Sequence, residues 1–295
     1  MSLVDDLARA VATLRAAGVP SARTDAELLA AHAAGTGRGG LQRLVVMRAD
    51  WPDGAGERFA ALVAERAARV PLQHLTGTAG FRGLELAVGP GVFVPRPETE
   101  LLAGLGVAGL AAAGPAPRAV DLCTGSGAVA LALAVEVPDA VVGAVELEPA
   151  AHAWAERNVA ALGDGRVRLV RGDAGDPAAV AAALPDLVGA CAVVTANPPY
   201  VPDDMVPLDP EVAEHDPPAA LYGGPDGMRV LAGCVRVAAR LLVSGGLLAL
   251  EHGEHQAERV AGVLRRAGGW HDVAHHVDLT GRPRVTTARV GGSPA

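Results

Sequence analysis

Four consecutive residues, Asn197-Pro198-Pro199-Tyr200, hold the densest chemistry in this sequence. They follow the apolar run Val193-Val194-Thr195-Ala196, which reads as a buried strand, so they form the corner at its end. Neither proline carries an N–H; the corner therefore offers backbone carbonyls and the Asn197 side-chain oxygen as acceptors and no donor at 198 or 199. A planar –NH2 group satisfies such acceptors with both hydrogens and turns its face outward, toward an electrophile. Tyr200 adds a flat wall. The chain has only one other asparagine, Asn158.

Three more stretches have a similar position, each just beyond an apolar run. Asp121-Leu122-Cys123-Thr124-Gly125-Ser126-Gly127 is a Gly-rich turn whose glycines let backbone amides approach a ligand. Gly125-x-Gly127-x-x-Ala130 also satisfies the relaxed dinucleotide fingerprint, and a ligand-free strand-to-helix turn needs the same glycines. Glu146, 25 positions beyond Asp121, can accept from both hydroxyls of a ribose, such as NAD or S-adenosylmethionine would present. Gly172-Asp173-Ala174 places an acid where it can take the exocyclic amine of an adenine.

These stretches need a scaffold, and the hydrophobic pattern supplies one. Strands are expected at Ala119–Leu122, Val141–Glu146, Val167–Arg171, Ala192–Ala196 and Leu247–Leu250, with helices at Ala128–Val137 and through Trp154 to Leu162. This alternation predicts an α/β fold with a doubly wound, mostly parallel sheet, and in such sheets ligands bind beyond the carboxyl ends of the strands. Residues 1–75 read as a small helical bundle. Leu7, Val11 and Leu14 make one apolar stripe, and Thr24 to Glu27 resembles a capping box that starts a second helix. Leu41–Met47 and Ala55–Arg69 follow, the last carrying Phe59, Leu62, Val63 and Arg66. Residues 76–94 read as a β-hairpin connector, and 95–290 as the α/β domain.

Composition narrows the chemistry. Of 295 residues none is Lys and none is Ile, so all 25 basic residues are Arg. That excludes a Schiff-base lysine and a P-loop lysine, and with them pyridoxal-phosphate enzymes and Walker-type NTPases. The net charge of -8 argues against gripping nucleic acid through many phosphates. Cys123, Cys191 and Cys234 are too few and too scattered for a disulfide framework or a zinc ribbon, which suits a reducing cytoplasm. The first residues lack a signal peptide's basic and apolar regions, and the charge-free stretch Leu101–Pro117 is broken by Gly and Pro and too short for a comfortable membrane span. A cytoplasmic protein with no membrane partner is expected. His252, His255, His271, His275 and His276 match no metal-ligand spacing, so no metal is expected.

Taken together, Asn-Pro-Pro-Tyr after a strand, an acid after an earlier one and a Gly-rich first turn resemble a class I S-adenosylmethionine-dependent methyltransferase acting on a planar nitrogen. Protein glutamine N5-methyltransferases, DNA adenine methyltransferases and RNA guanine methyltransferases share that tetrapeptide. Gly91-Val92-Phe93-Val94-Pro95-Arg96-Pro97-Glu98-Thr99-Glu100 and Pro71-Leu72-Gln73-His74-Leu75-Thr76-Gly77 resemble the release factor glutamine methyltransferase family in particular. Glu211–Met228, Leu250-Glu251-His252-Gly253 and Asp278–Arg284 extend the resemblance from about residue 70 to residue 290.

The resemblance implies a Rossmann-like methyltransferase sheet with a helical substrate-recognition domain. It implies S-adenosylmethionine as cofactor, with Cys123, Thr124, Gly125, Ser126 and Gly127 around its methionine end. Glu146 would take its ribose, Asp173 and Ala174 its adenine, and Asp121 and Asn197 also count among the cofactor residues. Asn197 and Pro198 would hold the substrate amide, with Pro199, Tyr200 and Phe93 shaping the pocket, and Asn197, Pro198 and Tyr200 as the catalytic set. The implied partner is a peptide chain release factor, methylated on the glutamine of its Gly-Gly-Gln motif. An amino methyltransferase of nucleic acid or an NAD-dependent oxidoreductase is the alternative. Cys123 stands where the family usually has Gly; it is small enough to fit if its φ stays negative, with its Cβ and Sγ then crowding the methionine tail. Arg96 and Glu98 are expected to pair with each other or to anchor the hairpin, or else to contact substrate.

Overall fold

The computed structural model describes residues 2–291. Among the described residues nine strands form two sheets: β1 (Thr78–Phe81) and β2 (Leu84–Ala87) make a hairpin, and β3 (Arg118–Leu122), β4 (Val141–Glu146), β5 (Val167–Arg171), β6 (Cys191–Ala196), β7 (Leu242–Glu251), β8 (Trp270–Val277) and β9 (Pro283–Val290) make the large sheet. Its order is β5-β4-β3-β6-β7-β9-β8. The first five are parallel, while β9 runs antiparallel to both β7 and β8. After β3 the chain builds outward through β4 and β5, then crosses back to lay β6 on the other side of β3. The strand order thus reverses between β3 and β6, the place beyond whose carboxyl ends such sheets bind their ligands.

The central strands are nearly pure Val, Ala and Leu because both of their faces are covered. Alternate side chains go to opposite cores. Ala119, Val142 and Ala144 join one with the helices Thr99–Ala111, Ala128–Glu136 and Pro149–Leu162. Val120, Leu122, Val145 and Val194 join the other with Pro177–Ala183, Arg229–Leu241 and Ala257–Ala267. The helix Thr99–Ala111 accounts for most of the charge-free stretch. Its Gly106 and Gly109 lie so close to the sheet that a β-carbon at either would meet Thr195, Val193 or Leu247 at 2.8–2.9 Å. No helix among the described residues is long and apolar enough to cross a membrane.

By contacts the chain divides into two compact units. One comprises residues up to Thr78 together with Pro207–His215, and the other comprises Ala79–Val206 and Asp216 onward. The hairpin thus groups with the sheet, and a short stretch from the middle of the α/β region groups with the helices. Within the helical unit Arg66, 3% exposed, explains that grouping. Its Nε donates to Asp25 Oδ2 at 2.7 Å, and a terminal nitrogen donates to Glu211 Oε1 at 2.7 Å. Arg69 reaches the same Glu211 oxygen at 3.0 Å.

Several local readings change. The second helix begins at Ala22, and Ser21, not Thr24, precedes it; the Ser21 hydroxyl donates to Asp25 across the first turn, while Glu27 pairs with Arg23 and Arg38 instead of closing a box. The third helix starts earlier, at Arg38, and a one-turn helix, Leu72–Thr76, precedes the hairpin. The hairpin turns on Arg82 and Gly83, both at positive φ (46° and 77°), which is the two-residue turn that matches strand twist. Strands β8 and β9 were not anticipated. On β8 most residues are exposed, as befits a polar edge strand, and His275 and His276 bond Thr286 and Thr287 of β9.

Candidate active site

The end of β3 and the end of β6 lie side by side, Leu122 opposite Ala196. The Gly-rich turn and the Asn-Pro-Pro-Tyr corner therefore leave adjacent strands at the switch point. In the turn, the Thr124 N–H is taken by the Val145 carbonyl and the Gly127 N–H by Thr124, which folds the chain back on itself. Gly125 and Gly127 have φ of 57° and 84°, and a β-carbon on Gly125 would point into open space. Ser126 is buried, and its carbonyl accepts from Asn158 Nδ2 at 2.9 Å. Asn158 also bonds both backbone polar groups of Ala87 in β2, so the second asparagine staples the hairpin to this turn.

One expectation for the turn is corrected. Cys123 has φ +59°, not a negative value, so a residue with a β-carbon stands in the left-handed region at a cost of roughly 1–2 kcal/mol. Its side chain packs against the core, and Cys234 together with burial pushes its pKa well up. Asp121 is held within the protein. It is 1% exposed; its Oδ2 accepts from the Thr124 hydroxyl at 2.6 Å and its Oδ1 from the Thr195 hydroxyl at 2.7 Å. The carboxyl braces the turn against β6, and burial raises its pKa to about 6.

Glu146 ends β4 with Oε2 accepting from the Gly125 N–H at 2.8 Å and Oε1 from the Glu148 N–H at 2.9 Å. Burial raises its pKa while those amides oppose the rise. Each oxygen keeps a lone pair, which suits a diol. Asp173 is exposed beyond β5; its Oδ1 accepts from Gly175 N–H at 2.7 Å, leaving Oδ2 for an amine, and Ala174 beside it is buried. The open space at Gly125, the acceptor pair at Glu146 and the acid at Asp173 thus follow the carboxyl edge in an order that fits an amino acid joined to a nucleoside.

In the corner, Asn197 Nδ2 donates to the Thr99 hydroxyl at 3.2 Å, so its Oδ1 is the end left to accept. Pro199 O lies against Gly223, where a β-carbon would come within 2.3 Å; Tyr200 O accepts from Gln256 Nε2 at 2.9 Å and faces Gly227. Neither Pro198 O nor Pro199 O receives a backbone hydrogen bond among the described residues. Burial pushes the Tyr200 hydroxyl's pKa up, so it stays neutral. The Arg96 guanidinium lies 4.8 Å from the Phe93 ring centroid and donates to Asp216 at 2.6 Å; its carboxylate partner is Asp216, not Glu98.

Two polar residues here were not singled out from sequence. Thr99, 5% exposed, opens the helix that backs β6, and Glu251, 2% exposed, ends β7 beside the corner. Both lie in stretches that carried the family resemblance, and an acid closing the apolar run Leu247–Leu250 was a readable sign of a strand-end site. His252 is fully buried between Gly253 O and the Thr286 hydroxyl, with its pKa lowered by burial.

Comparison with known proteins shows the family. The family model for the PrmC N-terminal domain matches residues 6–77. A release factor glutamine methyltransferase of Streptomyces coelicolor is 47% identical over 289 residues, 97% of this chain and 98% of the relative. One from Mycolicibacterium smegmatis is 50% identical over 283 residues, 95% of this chain and 94% of the relative. A 4-amino-L-phenylalanine/4-methylamino-L-phenylalanine methyltransferase of Streptomyces pristinaespiralis is 40% identical over 275 residues, 91% of this chain and 89% of the relative.

Proposed function

The chain belongs to the release factor glutamine methyltransferase family and is an S-adenosylmethionine-dependent protein glutamine methyltransferase; we propose that it methylates the side-chain amide nitrogen, N5, of the glutamine in the Gly-Gly-Gln motif of peptide chain release factors. The cofactor supplies an electrophilic methyl group on sulfur. In this reading Cys123–Gly127, Glu146 and Asp173-Ala174 hold it by its methionine, ribose and adenine parts.

The observation that carries the reading is the acceptor pair of the corner. Asn197 turns its donor end to Thr99, and Pro198 O has no backbone donor, which leaves acceptors at the corner that one carboxamide –NH2 would satisfy. An amide nitrogen is a weak nucleophile because its lone pair is delocalised into the carbonyl. Asn197 and Pro198 hold it in one orientation and bond it more strongly as positive charge grows on nitrogen. Positioning of this kind contributes on the order of 7–11 kcal/mol to lowering a barrier. No general base is needed beforehand, since the N–H becomes acidic as the methyl arrives. Tyr200 and Phe93 exclude water from the amide, and Pro199 keeps the corner rigid. The helical unit is assigned the grip on the release factor away from its glutamine.

The -8 charge favours a protein acceptor over nucleic acid. Three unpaired cysteines fit a cytoplasmic site of action beside the translation machinery. Mass spectrometry of a release factor incubated with enzyme and cofactor tests the assignment, with an arylamine amino acid as the control acceptor. One methyl gained on the Gly-Gly-Gln glutamine is expected. Methylation of the arylamine alone would transfer the chain to the other chemistry. Asn197→Ala is expected to abolish transfer while S-adenosylhomocysteine still binds; undiminished turnover would remove Asn197 from the mechanism.

A further inference from the structure

Asn197 works as an acceptor only if its carboxamide faces one way. Oxygen and nitrogen are nearly the same size, and a flipped Asn197 would present two N–H donors to a substrate –NH2 group, donor against donor. Something must hold the orientation. Thr99 alone does not, because a hydroxyl accepts or donates with equal ease.

Glu251 lies at the place where such a control belongs. Leu250 pairs with Ala196 across the parallel β6 and β7, so Glu251 and Asn197 leave neighbouring strands side by side. The Thr99 hydroxyl and the Asn197 side chain favour the charged form of its carboxyl. The carboxyl is 2% exposed, and its Oε2 has no hydrogen-bond partner among the described residues. A buried carboxylate with an unsatisfied oxygen weakens a fold, and such a group calls for a functional reason. Carboxylates accept and do not donate, so a charged Glu251 draws the Nδ2 end of Asn197 and the Thr99 proton toward itself.

We infer that Glu251 is a positioning residue that fixes the Asn197 carboxamide with its nitrogen turned to Glu251 and Thr99 and its oxygen turned to the substrate. This rests on the reading of Asn197 as the amide clamp. The charged groups that face Glu251 are Arg284 on β9, which attracts it, and Glu98, ahead of the helix Thr99–Ala111, which repels it; Tyr200 is a neutral neighbour. Asp278 bonds Arg284 at 3.2 Å and so fixes the attracting charge. Burial outweighs these and raises the carboxyl's pKa to about 7. As pH falls through that value Glu251 gains a proton, becomes a donor itself, and loses its hold on the Asn197 nitrogen.

The sequence makes a direct test feasible, because Asn158 and Asn197 are its only asparagines. Protein labelled with 15N only at asparagine gives two side-chain amide proton pairs, and the pair missing from Asn197→Asp identifies Asn197. In the unliganded wild type that pair is expected to shift with pH around a midpoint near 7, and in Glu251→Gln to stay flat. This arm needs no substrate, so it stands or falls apart from the glutamine reading. A flat wild-type response, or a titration that survives in Glu251→Gln, overturns the inference. In the kinetic arm, Glu251→Leu is expected to lower kcat/KM for the methyl acceptor about 10²-fold, the scale of losing one aligned polar group, with cofactor Kd unchanged. Glu251→Gln, whose amide oxygen can still accept from Nδ2, is expected to retain several times more activity than Leu and to lose the acid limb of the pH profile. Equal loss in both variants with an unaltered limb overturns it.

Discussion

Replacing Asp121 with asparagine is expected to make the protein more stable at alkaline pH, although it removes a charge from the heart of the Gly-rich turn. The carboxyl is enclosed, bonded by Thr124 at 2.6 Å and Thr195 at 2.7 Å, and burial still raises its pKa from 3.8 to about 6. A raised value means that the folded state holds the proton more tightly than the unfolded chain does. The stability this brings is complete below the unfolded value of 3.8 and is lost as pH rises through about 6. At about 1.36 kcal/mol per unit, the loss reaches about 3 kcal/mol once the group is charged in both states. Asparagine is neutral throughout. Its oxygen accepts from one threonine, while the other threonine turns to accept from its nitrogen. Asp121→Asn should therefore exceed wild type by about 3 kcal/mol in the upper window and converge with it as pH falls toward 3.8. Urea unfolding of both proteins across that range, followed by the fluorescence of the sheet unit's tryptophans, measures the difference directly. A variant less stable than wild type above neutrality, or a gap that does not close on acidification, would show that the two threonine bonds outweigh the burial of charge and refute the reasoning.

Two other perturbations follow from buried contacts. Arg66→Leu strands Asp25 without its partner in the helical core and should destabilise the helical unit by about 3–5 kcal/mol, whereas Arg66→Leu with Asp25→Leu should recover most of the loss; unfolding followed by helical circular dichroism decides, and equal damage in both variants would contradict it. At Cys123, glycine should be more stable than alanine by about 0.5–1 kcal/mol, the strain of a β-carbon at φ +59° less glycine's extra freedom when unfolded. A denaturation midpoint for Cys123→Ala at or above that of Cys123→Gly would count against strain at this position.

Much of the sheet could be read from the chain because its central strands are buried on both faces. β4 and β5 have the bounds that their apolar runs predict, and β6 differs by one residue. Edge strand β8, Trp-His-Asp-Val-Ala-His-His-Val, went unread because exposure removes the apolar signal that marks a strand. The helix Thr99–Ala111 is apolar nearly all round and carries no 3.6-residue stripe to declare it. In the site, the corner and the turn were visible because prolines and glycines act through their own backbones. Glu251 and Thr99 were not, since their importance lies in what surrounds them: a carboxyl at a strand end looks alike in sequence whether it is solvated or sealed. Cys123 was misjudged for a similar reason, because a turn bent by Gly125 and Gly127 carries its neighbour into the left-handed region as well.

Pro207–His215 counts with the helical unit although the chain on either side of it counts with the sheet. The N-terminal helices are consequently not a detachable cassette. A deletion ending near Thr78 would leave Glu211 without Arg66 and Arg69, and fusing those helices to another sheet would omit the stretch that holds Glu211. Ancestry is constrained in the same way: recombination at the obvious linker separates residues that fold together, so the two parts of this chain are expected to have been inherited as a pair.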